Sequence, residues 1–244
     1  MTVKRLIRNA VPEAAMLWYR QVRLSAQART LRMRMAEVDN PEQWATLLES
    51  FPAFHPLQRR RELVRLLELV QSMAPARVCE IGTASGGTFC ALARAARPDA
   101  TLVTLDLSLT PERRVALPRF ARDSQRIICL EGNSHNPAVP DQVRRLLSGA
   151  FLDVLFIDGD HSYEGVRHDF AMYGPLVRED GLVVFHDIVP DDGQRCGNPT
   201  HASTGGVPRF WSELKAGSRQ TQEIIDDPNQ DGYGLGVLSW CACA

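Results

Sequence analysis

An α/β fold, with a mostly parallel sheet covered by helices on both faces, is the class this 244-residue sequence predicts, and three observations predict it. From Arg77 onward, short β-branched or apolar runs alternate with helical stretches. The first of these runs breaks into a glycine-rich turn, and a second ends about twenty residues later in an acid, Asp106, the spacing of a nucleotide-binding βαβ unit. Ahead of them, residues 1–74 show helical periodicity instead.

Taken in order, residues 1–74 read as a helical extension, interrupted by Asp39-Asn40-Pro41 and by the proline-punctuated stretch Phe51 to Pro56. Its last helix, expected over Pro56 to Met73, sets Leu63, Leu66, Leu67 and Val70 at i, i+3, i+4 and i+7, an apolar face that needs a partner surface. Residues 75–244 form the second unit. Its strands are RVCEI from Arg77, TLVTLDL from Thr101, RIICLEG from Arg126, FLDVLFID from Phe151 and GLVVFHD from Gly181. Runs so continuously apolar suit parallel strands buried on both faces. Pro98-Asp99, Ser148-Gly149 and Asp180-Gly181 punctuate the chain before three of them. The polar stretch 189–208 is longer than ordinary connections and is expected to be either a lid over a site, since it follows the strand carrying Asp187, or a disordered insertion. A helix over Arg209 to Ala216, a strand near Gln222 to Asp226 and a last strand near Leu235 to Trp240 complete seven strands.

The chemistry gathers at strand ends. The first strand runs from Glu80 through Gly82, Gly86 and Thr88 into a helix, where glycines allow a tight turn and close approach to a ligand. Asp106 is placed to accept hydrogen bonds from a ribose. The dinucleotide fingerprint would need glycine where Ala84 stands. Glu80 would repel a pyrophosphate but suits a cationic cofactor.

On these residues the chain resembles the class I S-adenosylmethionine-dependent methyltransferases, over about Pro56 to Trp240. The resemblance implies a Rossmann-like seven-stranded sheet with its last strand antiparallel. It implies that Glu80, Gly82, Gly86 and Thr88 shape the cofactor turn, that Asp106 holds the ribose, and that Glu131-Gly132-Asn133-Ser134 borders the adenine. The segments Phe156 to Glu164 and Gly181 to Asp187 resemble the branch containing catechol-type and sugar O-methyltransferases, many of them metal-dependent. There the matching positions Asp158, His186 and Asp187 hold a divalent cation, Mg²⁺ or Mn²⁺, Asp158 also lies at the cofactor, and His161 is the general base. His186 stands where that branch usually has a carboxylate, which favours metals tolerant of imidazole. The implied activity is methylation of a hydroxyl on a small molecule, a sugar, a catechol or another natural product. An alcohol is a poor nucleophile until its proton leaves, so a base or a metal has work to do there. Two other readings stay open: a nicotinamide-dependent oxidoreductase, which shares strand, glycines and acid but has no use for the Asp158, His161 and Asp187 cluster, and a non-catalytic cofactor-binding or assembly module.

Composition bounds the rest. With 44% hydrophobic residues, 23% charged and a net charge of -1, nothing global points to nucleic acid. Residues 1–78 carry 13 Lys and Arg against 7 Asp and Glu, a basic segment on an acidic domain, read as solvated helix faces. The apolar start is broken by Arg8, Asn9, Pro12 and Glu13, unlike a signal peptide, and no apolar run approaches the roughly 18 residues that span a bilayer. A cytoplasmic protein, binding a small-molecule acceptor and pairing with its own copies, is the expectation. All six cysteines, with Cys241 and Cys243 too close for a normal disulfide, read as structural. His55, His135, His168 and His201 read as incidental, Tyr163, Val166 and Phe170 as core, although Trp211 or His201 is a candidate neighbour of the acceptor.

Overall fold

The computed structural model describes residues 12–122, 124–217 and 220–240. Cys241, Cys243 and the basic opening residues 1–11 lie outside them. Three helices form the extension. Helix α1, Glu13–Ala36, buries only Ser25, Ala28, Leu31 and Met35, all in its second half. Its first half exposes Trp18, Tyr19 and Val22. Helix α2, Pro41–Glu49, starts on an Asn40 cap that accepts from the Gln43 amide at 2.9 Å, a bond typically worth about 1 kcal/mol. Helix α3, Arg60–Met73, begins four residues later than periodicity predicts. Pro56 to Arg59 run as a non-helical connector instead, bent at Leu57 and Gln58, and Phe54 to Pro56 lie against Gly87, where an added Cβ would sit 2.4 Å from the Phe54 carbonyl oxygen.

Seven strands follow: β1 Arg77–Ile81, β2 Thr101–Asp106, β3 Arg126–Glu131, β4 Leu152–Ile157, β5 Val177–His186, β6 Thr221–Ile224 and β7 Leu235–Ser239. Their order in the sheet is β3-β2-β1-β4-β5-β7-β6. The first five pair in parallel, and β7 runs antiparallel to β5 and β6. Strand β5 starts four residues earlier than its GLVVFHD run. Asp180, with φ 59, bends the backbone inside it, and the pairing with β4 slips between Leu152 and Val154. Between the strands stand α4 Gly87–Ala95, α5 Pro111–Ala116, α6 Ala138–Leu146, α7 Tyr163–Tyr173, α8 Asp192–Cys196 and α9 Val207–Gly217.

Leu63, Leu66, Leu67 and Val70 of α3 share one apolar cluster with Phe89, Val78, Leu102, Val154 and Val184. The face predicted to need a partner finds it on the sheet. A second cluster, with Val143, Val166, Phe210 and Trp211 against Cys79, Leu155 and Phe185, covers the opposite face. Fully burying one such leucine stabilises the fold by about 1.5–3 kcal/mol. Cys79 and Cys90 are buried, Cys129 is half-buried and Cys196 exposed, all as free thiols. Among the described residues no helix is long and apolar enough to cross a membrane. Strand order reverses between β1 and β4, and in such sheets ligands settle at the carboxyl ends beside that reversal.

Candidate active site

A cavity of about 690 Å³ opens at that point. Its walls come from the β1 turn (Gly82, Ala84), the end of β2 (Asp106, Leu107), the loop after β3 (Asn133, Ser134, His135), the end of β4 (Asp158 to His161), the end of β5 (His186, Asp187) and the segment His201 to Ser203. Gly82 is required here: its φ is +93°, and a Cβ would fall 1.9 Å from the Asp158 carbonyl oxygen. Only hydrogen lets β1 and β4 turn outward side by side. Asp106 lines the cavity while its carboxylate braces the turn, Oδ2 accepting from the Thr83 amide at 2.9 Å and the Ala84 amide at 3.1 Å, Oδ1 from the Ser108 amide at 2.8 Å.

Four side chains from two strand ends meet at one wall. His161 Nε2 lies 3.3 Å and His186 Nδ1 3.1 Å from Asp158 Oδ1. Asp187 Oδ2 is 3.4 Å from His161 Nδ1 and 3.6 Å from His186 Nδ1. Asp187 reaches this place through a left-handed backbone, φ 63, unusual for a residue with a Cβ and found where a site over-determines it. His161 Nδ1 also lies 2.6 Å from the Ser203 carbonyl oxygen, which can only accept, so that nitrogen carries a hydrogen. Nε2 is left as the atom that gains or loses a proton. The hydrogen bond to Asp158 raises His161 to about 9. Burial opposes charge on Asp158, but the two imidazoles override it and hold the carboxyl down at about 2. Burial likewise opposes charge on His186, and Asp158 reverses that, raising it. Burial raises Asp187. Asp158 and the two imidazoles favour charge on one another, while burial works against it on Asp187.

Donor atoms of Asp158, His161 and Asp187 lie within 4.8 Å of one another. Two carboxylates with an imidazole are a donor set that suits Mn²⁺ and tolerates Mg²⁺. His186, expected as the third ligand, also turns Nδ1 toward both acids, so the structure brings together all four residues singled out at the ends of β4 and β5.

Three expectations are corrected. Glu80 does not reach the cavity: it is 1% exposed, its Oε2 accepts from Thr104 Oγ1 at 2.8 Å, and burial raises its pKa well above the ordinary value. Gly86 faces Leu117, and Thr88 donates its hydroxyl to Gln58 Oε1; neither lines the cavity, because the connector before α3 covers the start of α4. Trp211 is buried against Gly236, its Nε1 donating to Glu223 at 2.7 Å, whereas His201 does stand at the wall. Sequence reasoning missed Gln58, 7% exposed, which carries the Thr88 contact across to Asp158 Oδ2 at 3.3 Å. It also missed Tyr233, whose ring lies 6.0 Å from that of His186, and His135. None had a local motif; each reaches the site through a loop.

A parallel sheet reversing between β1 and β4, a glycine-cut first turn and an acid closing β2 define an α/β protein with a cavity at its carboxyl edge. The profile of a methyltransferase-domain family matches residues 79–188, and the sheet has the fold of solved S-adenosylmethionine-dependent methyltransferases. The O-methyltransferase TomG from Streptomyces achromogenes, involved in tomaymycin synthesis and crystallised with S-adenosylmethionine, has the same fold at TM-score 0.56 and 22% identity, over 83% of this chain and 91% of its own. MycE methyltransferase of the mycinamycin pathway, crystallised with Mg and S-adenosylhomocysteine, aligns at TM-score 0.54 and 20% identity, over 83% of this chain and 55% of its own. A 90-residue segment, 36% of this chain, is 32% identical to the uncharacterized protein y4gI of Sinorhizobium fredii. The matched segments span 16% or less of the length of the curated relatives.

Proposed function

We propose that this protein is an S-adenosylmethionine-dependent O-methyltransferase that methylates a hydroxyl of a small molecule with the help of a divalent cation. The observation that carries the reading is the convergence of Asp158, His161, His186 and Asp187 on one wall of the cavity that Asp106 also lines. S-adenosylmethionine supplies a methyl group on a cationic sulfur, and a divalent cation held by Asp158, His186 and Asp187 would lower the acceptor hydroxyl's pKa and relieve the carboxylates of their imidazolium partners. His161 then takes the acceptor's proton on Nε2 while Ser203 fixes the ring through Nδ1. Asp106 positions the ribose, and Gly82 leaves room for the cofactor between β1 and β4. Ligand complexes of TomG and MycE support the cofactor, and the Mg complex of MycE supports the metal. Neither a nicotinamide-dependent reaction nor a purely assembling role uses the four-residue cluster.

Residues 189–208 serve as a lid on this reading. Gly205 and Gly206 admit the backbone of His161 and Tyr163, where added Cβ atoms would fall 2.2 and 2.3 Å away, and Asp231 ties the segment down through Thr200 Oγ1 at 2.6 Å. The extension 1–74 carries the exposed Trp18, Tyr19 and Val22, a face suited to pairing two copies, and the protein acts in the cytoplasm on a small molecule, with neither nucleic acid nor membrane as partner.

Calorimetry with S-adenosylmethionine and S-adenosylhomocysteine, with and without Mg²⁺ or Mn²⁺, followed by transfer of labelled methyl to a panel of sugar and catechol alcohols, tests the proposal. Binding of both nucleosides and metal-stimulated labelling are expected. No affinity for either nucleoside overturns it.

A further inference from the structure

The connector that joins the extension to the sheet sends one buried polar side chain to the wall of acids and imidazoles, and the proposed reaction gives it no part. Gln58 lies two residues before α3 and is 7% exposed. Its amide is shared between two partners. Oε1 accepts from the Thr88 hydroxyl at the start of α4, and Nε2 donates to Asp158 Oδ2 at 3.3 Å. Polarity fixes this orientation. An ionised carboxylate can only accept, so the amide nitrogen must face Asp158, and the amide oxygen on the other side then needs a donor. Thr88 is that donor, and a hydroxyl on one helix thereby decides which end of the amide meets the acid.

Asp158 divides its oxygens to match. Oδ1 faces His161 Nε2 at 3.3 Å and His186 Nδ1 at 3.1 Å, while Oδ2 is tethered to Gln58. A carboxylate turns easily about its terminal bond, and contacts on both oxygens, from different elements, oppose that rotation. The connector itself is held on the sheet side. Arg113 donates to the Ala53 carbonyl oxygen at 3.1 Å, and Ser85 donates its hydroxyl to the His55 carbonyl oxygen. A Cβ on Gly87 would fall 2.6 Å from the Pro56 nitrogen, so the chain passes there in close contact with α4.

We infer that Gln58 is a positioning residue which, held in its orientation by Thr88, keeps the Asp158 carboxylate from turning and so sets the affinity of Asp158, His186 and Asp187 for a divalent cation. The inference rests on the proposed metal-assisted reading and gives that site a support from the extension, outside the strand ends. Hydrogen-bond partners of metal ligands typically carry about 10–100-fold of the metal affinity, because they orient the ligand before the metal arrives.

The test is titration with Mn²⁺, followed by electron paramagnetic resonance, on wild type, Gln58→Leu, Thr88→Val, Thr88→Ser and the double variant Gln58→Leu with Thr88→Val. Calorimetry of S-adenosylhomocysteine without metal and a melting curve accompany each. Gln58→Leu keeps the bulk and loses the amide, so Mn²⁺ affinity should fall by about tenfold or more while nucleoside affinity is retained. Thr88→Val should weaken Mn²⁺ in the same direction, and Thr88→Ser, which keeps the hydroxyl, should bind as wild type does. Both residues act through one amide, so the double variant should bind Mn²⁺ no more weakly than Gln58→Leu. Losses that add overturn the inference. An equal fall for metal and nucleoside, the mark of a merely structural role, overturns it as well. Wild-type uptake of Mn²⁺ that Gln58→Leu leaves unchanged overturns it and leaves the metal-assisted reading standing. Wild type taking up no Mn²⁺, with or without S-adenosylhomocysteine, overturns that reading and the inference together. Should Gln58→Leu melt below the working temperature, the contrast between Thr88→Val and Thr88→Ser decides: equal Mn²⁺ affinities in those two overturn the inference.

Discussion

Strand β4 carries an aspartate at each end, and the two live under opposite rules. At the amino end Asp153, 8% exposed, is fully used: Oδ2 accepts from the Ala76 and Arg77 amides, each at 2.8 Å, and Oδ1 from Arg178 Nε at 2.6 Å. It staples the start of β1 and the edge of β5 to β4. At the carboxyl end Asp158 meets two imidazoles and Gln58, all from different elements, with the cavity open beside it. The first acid is satisfied by backbone amides that the fold would otherwise leave unpaired. The second is held among side chains that compete for it, and His186 Nε2 is left buried without a partner. Satisfied polar groups mark where a carboxylate builds the fold; competing ones mark where it is kept available for a ligand.

Mutation at each end sharpens that contrast. The largest expected effect is on turnover: His161→Ala should lower kcat by roughly 10²–10⁴-fold, the usual contribution of a positioned base. Calorimetric affinity for S-adenosylhomocysteine should be retained. Retained turnover removes His161 from the chemistry. Next, Asp153→Ala should cost about 2–4 kcal/mol in urea unfolding, because two amides and a guanidinium lose one acceptor, while folded protein keeps its activity. A fall in kcat with unchanged stability would mean that the two ends are not separable in the way described. Removing divalent ions with a chelator should then lower turnover by about tenfold or more, restored by Mn²⁺ or Mg²⁺; chelator-insensitive labelling would leave the four residues to act without metal.

The smallest effect is on stability against pH, measured without added metal. Raised to about 9 by Asp158, His161 binds its proton more tightly in the folded chain than at its ordinary 6.5. Its contribution is therefore complete below pH 6.5 and is lost as pH rises through 9. Asp158, lowered to about 2, contributes above its ordinary 3.8 and loses that contribution only as pH falls toward 2. The melting temperature should hold between pH 5 and 6.5 and decline toward 9. The His161→Ala variant should show a shallower decline; an identical profile would separate the ring from the acids in solution.

Much of this fold was legible along the chain because each parallel strand is a local event: a short β-branched run, bounded by turn residues, buried on both faces. Strand ends were legible for the same reason, which is how Asp106 was found, whereas Asp158, His161, His186 and Asp187 were singled out through the resemblance of their segments to the O-methyltransferase branch. Glu80 and Thr88 were misplaced because their motif gives spacing without direction. Strand alternation turns Glu80 under the turn, and the connector before α3 takes the hydroxyl of Thr88. Phe51 to Arg59 was the hardest stretch to read, since a single 3₁₀ turn over Pro52–Phe54 followed by an irregular connector has no periodicity.

By itself, then, the sequence determined the number and order of the strands and the glycine that lets β1 and β4 open side by side, and its resemblance to a known branch pointed to the acids and imidazoles of the carboxyl edge. The strands follow from propensity, pattern and chain order, all local. Only the tertiary structure decided that Gln58 and Tyr233 reach the same wall, that Glu80 is buried beneath it against Thr104, and that Asp169 stands behind His135. Burial and contact across 24 residues of chain or more set those outcomes, and no short window of sequence contains both partners.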